Sequence, residues 1–218
     1  MIKRMKISNK KIKQIKEYAE KHFKNLGPSH DWSHVQRVFQ TAVNIAKREK
    51  ANVGLVKVAV YLHDIGRQSL KEGSYDHAVA GAKIVKKILR KYNFTGKQIE
   101  GICHCVETHR FRNNKKPETK EAKCLFDADK LDVLGALGIA RSYIYLGETR
   151  NCVLYLKPRK RKSSSKKTTN SVQEEYEVKY KHMPEQMMTK TGKLIAKKRL
   201  KYMQNFLKRL EKEVQGKL

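Results

Sequence analysis

The chain has 218 residues and carries 50 Lys and Arg against 21 Asp and Glu, a formal net charge of +29. Hydrophobic residues make up 39%, enough for a folded body of one domain or one domain with an appendage, which excludes a wholly disordered chain. No run approaches the ~20 apolar residues that span a bilayer, and the basic start Met1-Ile2-Lys3-Arg4 lacks the apolar core of a signal peptide, so a soluble, cytoplasmic protein with no membrane partner is expected. The positive charge is mostly lysine and runs along nearly every predicted helix. It attracts polyanions, and two readings of it stand: a surface for nucleic acid or phosphorylated substrates, or a set of solvated lysine-rich faces.

In chain order, Ser8 to Phe23 has helical periodicity, with Ile12, Ile15, Ala19 and Phe23 on one stripe. Asn25-Leu26-Gly27-Pro28 ends it. From Trp32 to about Lys50 a second helix buries Val35, Val38, Phe39, Ala42 and Ala46, with His34 in its first turn. A short, very apolar helix starts at Asn52 or Val53 and ends at Gly66, read as a left-handed cap. It is apolar on nearly all sides and is expected at the centre of the fold. Asp76 to Tyr92 follows as a helix with Ala78, Ala82, Val85 and Leu89 inward. Thr95 caps the next, Gly96 to His109, with Ile99, Ile102, Cys103 and Val106 inward. Glu121 to Tyr145 reads as one long helix with an acidic cluster near its middle. Gly135 and Gly138 would let a neighbouring backbone approach. Ser171 to Tyr180 reads as a short helix. Lys193 to Val214 is the last, with Leu194, Ile195, Leu200, Met203, Phe206, Leu207 and Leu210 as its apolar face. Between them the run 157–170 is almost entirely polar and basic, and is expected to be an exposed, flexible insertion. No internal repeat and no strand pattern stands out. The four cysteines, Cys103, Cys105, Cys124 and Cys152, lack paired C-x-x-C spacing, which points to reduced thiols.

Chemistry gathers at Leu62-His63-Asp64-Ile65-Gly66-Arg67. His63 and Asp64 place a neutral nitrogen ligand beside an anionic oxygen ligand, at the end of the apolar run Val56 to Leu62. His34, upstream, and Asp129, in Asp127-Ala128-Asp129-Lys130-Leu131-Asp132, are their candidate partners. Two imidazoles and two carboxylates suit divalent Mn, Fe, Ni, Co or Mg. On an octahedral ion they leave positions for water and a phosphate oxygen.

The order H…HD…D on an all-helical chain resembles the HD-domain metal-dependent phosphohydrolase superfamily. His30-Asp31-Trp32-Ser33-His34-Val35-Gln36-Arg37-Val38 is similar to the H-D-W-x-H-x-x-R-V opening of one branch, the nucleoside triphosphate pyrophosphohydrolases of the YpgQ and YedJ type. Leu62 to Arg67, the Asp127 to Arg141 block and, more loosely, Met188 to Arg199 are similar to further blocks of that branch. The resemblance covers about residues 10–145 firmly and 180–214 loosely, with the basic insertion outside it. It implies an all-α fold, an HD-domain helical bundle in which 1–218 form a single domain with the insertion at about 157–170 and a C-terminal helix at about 193–214. It implies metal ligation by His34, His63, Asp64 and Asp129, the last chosen over Asp127 and Asp132 by its place in the family's Ala-Asp-basic-Leu pattern.

Asp127 and Asp132 are then read as helix-surface carboxylates or as groups that brace the ligands. Asp64 or Asp132 is the expected proton acceptor from water. Arg37, Arg67, Lys130 and Arg141 are candidates for gripping phosphates. His77 and His109 resemble positions that line the site or, in some members, bind a second metal. His30 and Asp31 are candidates for bracing His34. His104 reads as satisfied on a helix flank, and Trp32 as packing. The implied activity is hydrolysis of a nucleoside triphosphate to monophosphate and pyrophosphate by metal-activated water. The His-x-x-x-Asp or Glu-Asp signature of stringent-response hydrolases is missing, which argues against ppGpp as substrate. Two other classes stand beside this reading: an HD-type phosphodiesterase or nuclease on a polynucleotide or cyclic nucleotide, and a non-catalytic nucleic-acid-binding protein.

Overall fold

The computed structural model describes residues 6–23, 31–69, 77–110, 115–149, 152–155 and 169–217; His30 and the basic insertion up to residue 168 lie outside them. Among the described residues every regular element is helical. The α-helices are α1 (Asn9–His22), α2 (Trp32–Arg48), α3 (Val53–Leu62), α4 (His77–Lys91), α5 (Gly96–Glu107), α6 (Lys120–Leu131), α7 (Gly135–Thr149), α8 (Val172–Val178), α9 (Met183–Gln186) and α10 (Lys190–Val214). The chain divides into two compact units. The first runs to Asp129 and takes in Met188–Gly192; the second comprises Lys130–Met187 and the chain from Lys193 onward.

In the first unit α3 is central, packed against α1, α2 and α5. Leu55, Val56, Val58, Ala59, Val60, Tyr61 and Leu62 are all buried on it, as its all-round apolarity predicts. Ile15, Ala19 and Phe23 from α1, Val35, Val38, Ala42 and Ile45 from α2, and Ile102 and Val106 from α5 close the core around it. Burial of such side chains stabilises the fold by ~1.5–3 kcal/mol each relative to exposure. Trp32 stacks on Tyr61 at 5.9 Å, and Phe39 on Tyr61 at 4.9 Å, so the tryptophan packs as expected.

Caps set where these helices begin. Ser8 accepts from the Lys11 N–H, Asp31 from His34 and Asn52 from Leu55. Thr95 and Gln98 form a reciprocal capping box that starts α5.

Four readings are corrected. Helix α3 stops at Leu62, and Gly66 is not a left-handed cap. It lies in a 3₁₀ turn, Ile65–Ser69, that packs on α4. A Cβ at Gly66 would overlap the His77 carbonyl and the Gly81 backbone, so glycine is needed there for close approach. On α5 the fully buried thiol is Cys105, whereas Cys103 is partly exposed and donates to the Ala82 carbonyl at 3.5 Å. All four cysteines are free.

The long helix expected over 121–145 is two helices. α6 ends at Leu131, and Gly135, with φ +79°, opens α7. The left-handed backbone that glycine accepts breaks a run whose apolar periodicity continues unchanged. In this second unit Arg199 Nη1 donates to the freed Leu131 carbonyl at 2.6 Å. The Ser142 hydroxyl donates to Gly138 O at 2.6 Å and accepts from the Tyr180 hydroxyl at 2.8 Å, tying α7 to the 3₁₀ turn Tyr180–His182. Last, α10 starts three residues earlier than the periodicity suggests, and Leu194, expected inward, is 51% exposed; Ala196, Met203 and Leu207 are its buried positions.

Candidate metal centre

Each side chain of the site is delivered by a helix end or a turn of the first unit. Asp31 caps α2 by accepting from the His34 N–H at 3.1 Å, and so acts on the main chain of His34. Its carboxylate also accepts from Ser33 Oγ at 2.5 Å, and Arg37 donates to that same hydroxyl at 2.7 Å. His63 and Asp64 follow the last turn of α3. The His22 ring donates to the Ile65 carbonyl at 3.1 Å and steadies the turn beyond them. His77 opens α4, His109 follows α5, and Asp129 sits in the last turn of α6.

These elements converge. His34 Nε2 lies 3.3 Å from His63 Nε2 and 3.5 Å from Asp129 Oδ1. Asp64 turns one oxygen to each side of the site. Its Oδ2 lies 3.9 Å from His34 Nε2 and 3.7 Å from His63 Nε2, while its Oδ1 lies 3.2 Å from His77 Nε2 and 3.4 Å from His109 Nε2. Two groups could each hold a cation: His34, His63 and Asp129, and Asp64, His77 and His109, with the ligand atoms of each group within 4.8 Å of one another. Four of the expected residues are therefore together, and His77 and His109 join them through Asp64.

The protonation pattern suits ligation. His63 Nδ1 donates to the Val60 carbonyl at 2.7 Å, and His109 Nδ1 to Val106 at 2.6 Å. A carbonyl only accepts, so these nitrogens carry the protons, and in the neutral rings the Nε2 lone pairs face the site. Burial lowers the His63 pKa to about 4, with the neighbouring His109 and His34 acting in the same direction against Asp64 and Asp129. Burial also lowers His77. For Asp64 burial works against ionisation, but His63, Arg67 and the His109 and His77 rings outweigh it, and its carboxyl is held well below the usual range. Arg67 Nε is 2.5 Å from Asp64 Oδ2, so this candidate phosphate-gripping side chain is engaged with Asp64. Asp64 Oδ1 and His77 Nε2 are buried with no aligned hydrogen-bond partner, the condition expected of groups arranged for a ligand. Imidazole nitrogens and carboxylate oxygens in this combination fit a divalent cation.

The helix-surface reading of Asp132 and Asp127 is corrected: Asp132 is 2% exposed and Asp127 fully buried. Asp127 Oδ1 accepts from the Met188 N–H at 2.8 Å, and its Oδ2 from the Thr189 N–H at 2.8 Å and the Thr189 hydroxyl at 2.6 Å. The pairing with Thr189 had no signal in the spacing of the acidic cluster. The Thr189-x-x-Gly192 pattern, a capping residue ahead of a helix, was its one trace in the sequence. His104 accepts from the Glu118 N–H at 3.1 Å on a helix flank, as expected. Lys130, Asp132 and Arg141 belong to the second unit, where Arg141 Nε lies 3.5 Å from the buried Asp132 Oδ2.

Residues 31–134 match the HD domain family. It is 27% identical over 211 residues to YpgQ of Bacillus subtilis (strain 168), an alignment covering 95% of each protein. The crystal structure of Bacillus subtilis YpgQ in complex with ADP matches with a TM-score of 0.73 at 24% identity, over 95% of this chain and 100% of that one. A HD-superfamily hydrolase from Bacillus thuringiensis matches with a TM-score of 0.73 at 26% identity, over 94% and 97%. The fold is that of HD-superfamily hydrolases, and its His and Asp groups could hold the divalent cation that a metal-dependent phosphohydrolase requires.

Proposed function

We propose that this phosphohydrolase acts on nucleotides, converting nucleoside triphosphates to monophosphate and pyrophosphate with one divalent cation held by His34, His63, Asp64 and Asp129. The meeting of His34 Nε2, His63 Nε2 and Asp129 Oδ1, with Asp64 Oδ2 within 3.9 Å of both imidazoles, carries this reading. The cation, when bound, supplies Lewis acidity to water and to a phosphoryl oxygen. The protein groups do the rest. Val60 O holds His63 in the ligating tautomer. Arg67 keeps Asp64 ionised and in place. His77 and His109 line the other side of Asp64, where a substrate phosphate meets them. The nucleotide class is supported by the ADP held by the YpgQ relative.

The deciding experiment strips the protein of metal, reloads it with Mn²⁺, Ni²⁺, Co²⁺, Fe²⁺ or Mg²⁺, and measures phosphate and pyrophosphate release from a nucleotide panel. Pyrophosphate from a triphosphate is the expected product. A second reading, a nuclease or phosphodiesterase, is favoured by the net charge of +29 and by 31% identity over 90 residues to Ribonuclease Y of Chloroflexus aurantiacus, although that match covers only 16% of the nuclease. It predicts cleavage of oligonucleotides that falls steeply with salt, because several phosphate contacts release counterions.

A further inference from the structure

Three hydrogen bonds converge on the buried Asp127, two residues before Asp129. Residues two apart on an α-helix point about 200° apart, so the α6 side chain that faces the metal site and the one that anchors its helix lie on opposite sides. The anchor is the segment Met188–Gly192. Beyond the Met188 and Thr189 bonds to Asp127, the Thr189 hydroxyl accepts from the Gly192 N–H at 2.8 Å and so caps α10. Gly192 has no room for a side chain, since a Cβ there would overlap the Asp127 carboxylate. The next residue along, Thr191, donates its N–H to Glu49 Oε1 at 2.8 Å. Glu49 is the C-cap of α2, the helix that carries His34 in its first turn. A third tie sits at the start of α6, where Glu121 Oε1 accepts from the N–H of Asn52, the N-cap of α3, at 2.6 Å. The helices that carry His34, His63 with Asp64, and Asp129 are thus joined through backbone-to-carboxylate bonds.

We infer that Asp127, with Thr189, is a positioning residue for the metal centre: it clamps α6 to the Met188–Gly192 strap and so fixes Asp129 Oδ1 against His34 and His63. The inference rests on the reading of Asp129 as a metal ligand. A buried carboxylate surrounded by three donors is costly to misplace, because its loss would leave the buried N–H and hydroxyl of Thr189 unpaired. A well-directed anchor therefore resists the small helix rotation that would carry Asp129 out of reach, and groups of this kind support ligands whose own flexibility would weaken binding.

The test compares Mn²⁺ dissociation constants, by titration calorimetry on the full chain, with the melting temperature of the metal-free protein. Asp127→Asn and Thr189→Val are expected to weaken Mn²⁺ binding by ~10- to 100-fold, while Thr189→Ser, which keeps the hydroxyl, binds like wild type. Thr95→Ala, which removes the α5 cap, is the control for general loss of stability, and keeps its Mn²⁺ affinity within about twofold at a comparable drop in melting temperature. Wild-type affinity in both Asp127→Asn and Thr189→Val overturns the inference, as does equal weakening in Thr95→Ala. Should Asp127→Asn fail to fold, the Thr189 pair decides alone. Asp129→Asn separates the levels: wild-type Mn²⁺ affinity there removes Asp129 as a ligand and this inference with it.

Discussion

His34 Nε2 and His63 Nε2 lie 3.3 Å apart in a site where both rings are buried. The His63 proton is committed to the Val60 carbonyl, so its lone pair faces the second imidazole. Two imidazole nitrogens at this separation, with carboxylate oxygens beside them, suit a divalent cation. Metal binding is accordingly expected to stabilise the fold by about 2.7 kcal/mol at a free concentration one hundred times its dissociation constant. For a chain of this size that raises the melting temperature by roughly 5–10 °C, read by scanning calorimetry with and without Mn²⁺. No shift with any divalent cation counts against the site.

Acid is expected to act on the metal-free protein first through His63. Its folded pKa of about 4 lies below the ordinary value of 6.5. The unfolded chain therefore binds the proton more readily between these values, and the stability tied to neutral His63 is present above pH ~6.5 and lost as pH falls toward 4. Asp64, held lower still by its neighbours, stays ionised across that window. Urea midpoints of the metal-free protein measured from pH 7.5 to 4.5 check this, and His63→Gln is expected to flatten the curve. Mn²⁺ affinity should fall over the same range, since proton and cation compete for Nε2.

Replacing His63 and Asp64 together by Ala is expected to abolish metal binding and turnover, with full retained turnover excluding the proposed chemistry. His77→Ala or His109→Ala should leave one metal equivalent per chain and raise KM, as measured by elemental analysis beside steady-state kinetics. Loss of a metal equivalent in either would instead assign the Asp64, His77 and His109 group a cation of its own.

Gly66→Ala tests how the turn after Asp64 is seated. The added methyl meets backbone atoms of His77 and Gly81, which cannot rotate away. A loss of roughly 1–3 kcal/mol is expected from overpacking, read from urea unfolding, together with weaker metal binding because Asp64 and Arg67 flank the displaced turn.

Much of this was legible in the residues themselves. The all-round apolarity of Leu55 to Leu62 predicts a central helix, and α3 is the centre of the first unit. Thr95 predicts its helix start through local capping chemistry. His34, His63 and Asp64 stand out as candidate ligands by their chemistry, and Asp129 is chosen from its acidic cluster by the family resemblance. Such features are local: they depend on neighbours within one or two helical turns.

Tertiary structure decided what depends on distant partners. The periodicity of Glu121 to Tyr145 continues through the break at Gly135, because backbone sign leaves no trace in an apolar stripe. Gly66 looks like a helix cap until α4 is packed against it. Asp127 and Asp129 are indistinguishable as carboxylates in an acidic cluster. One is an anchor and the other faces the site because residues 61 and 62 positions downstream, Met188 and Thr189, supply backbone and hydroxyl donors to Asp127.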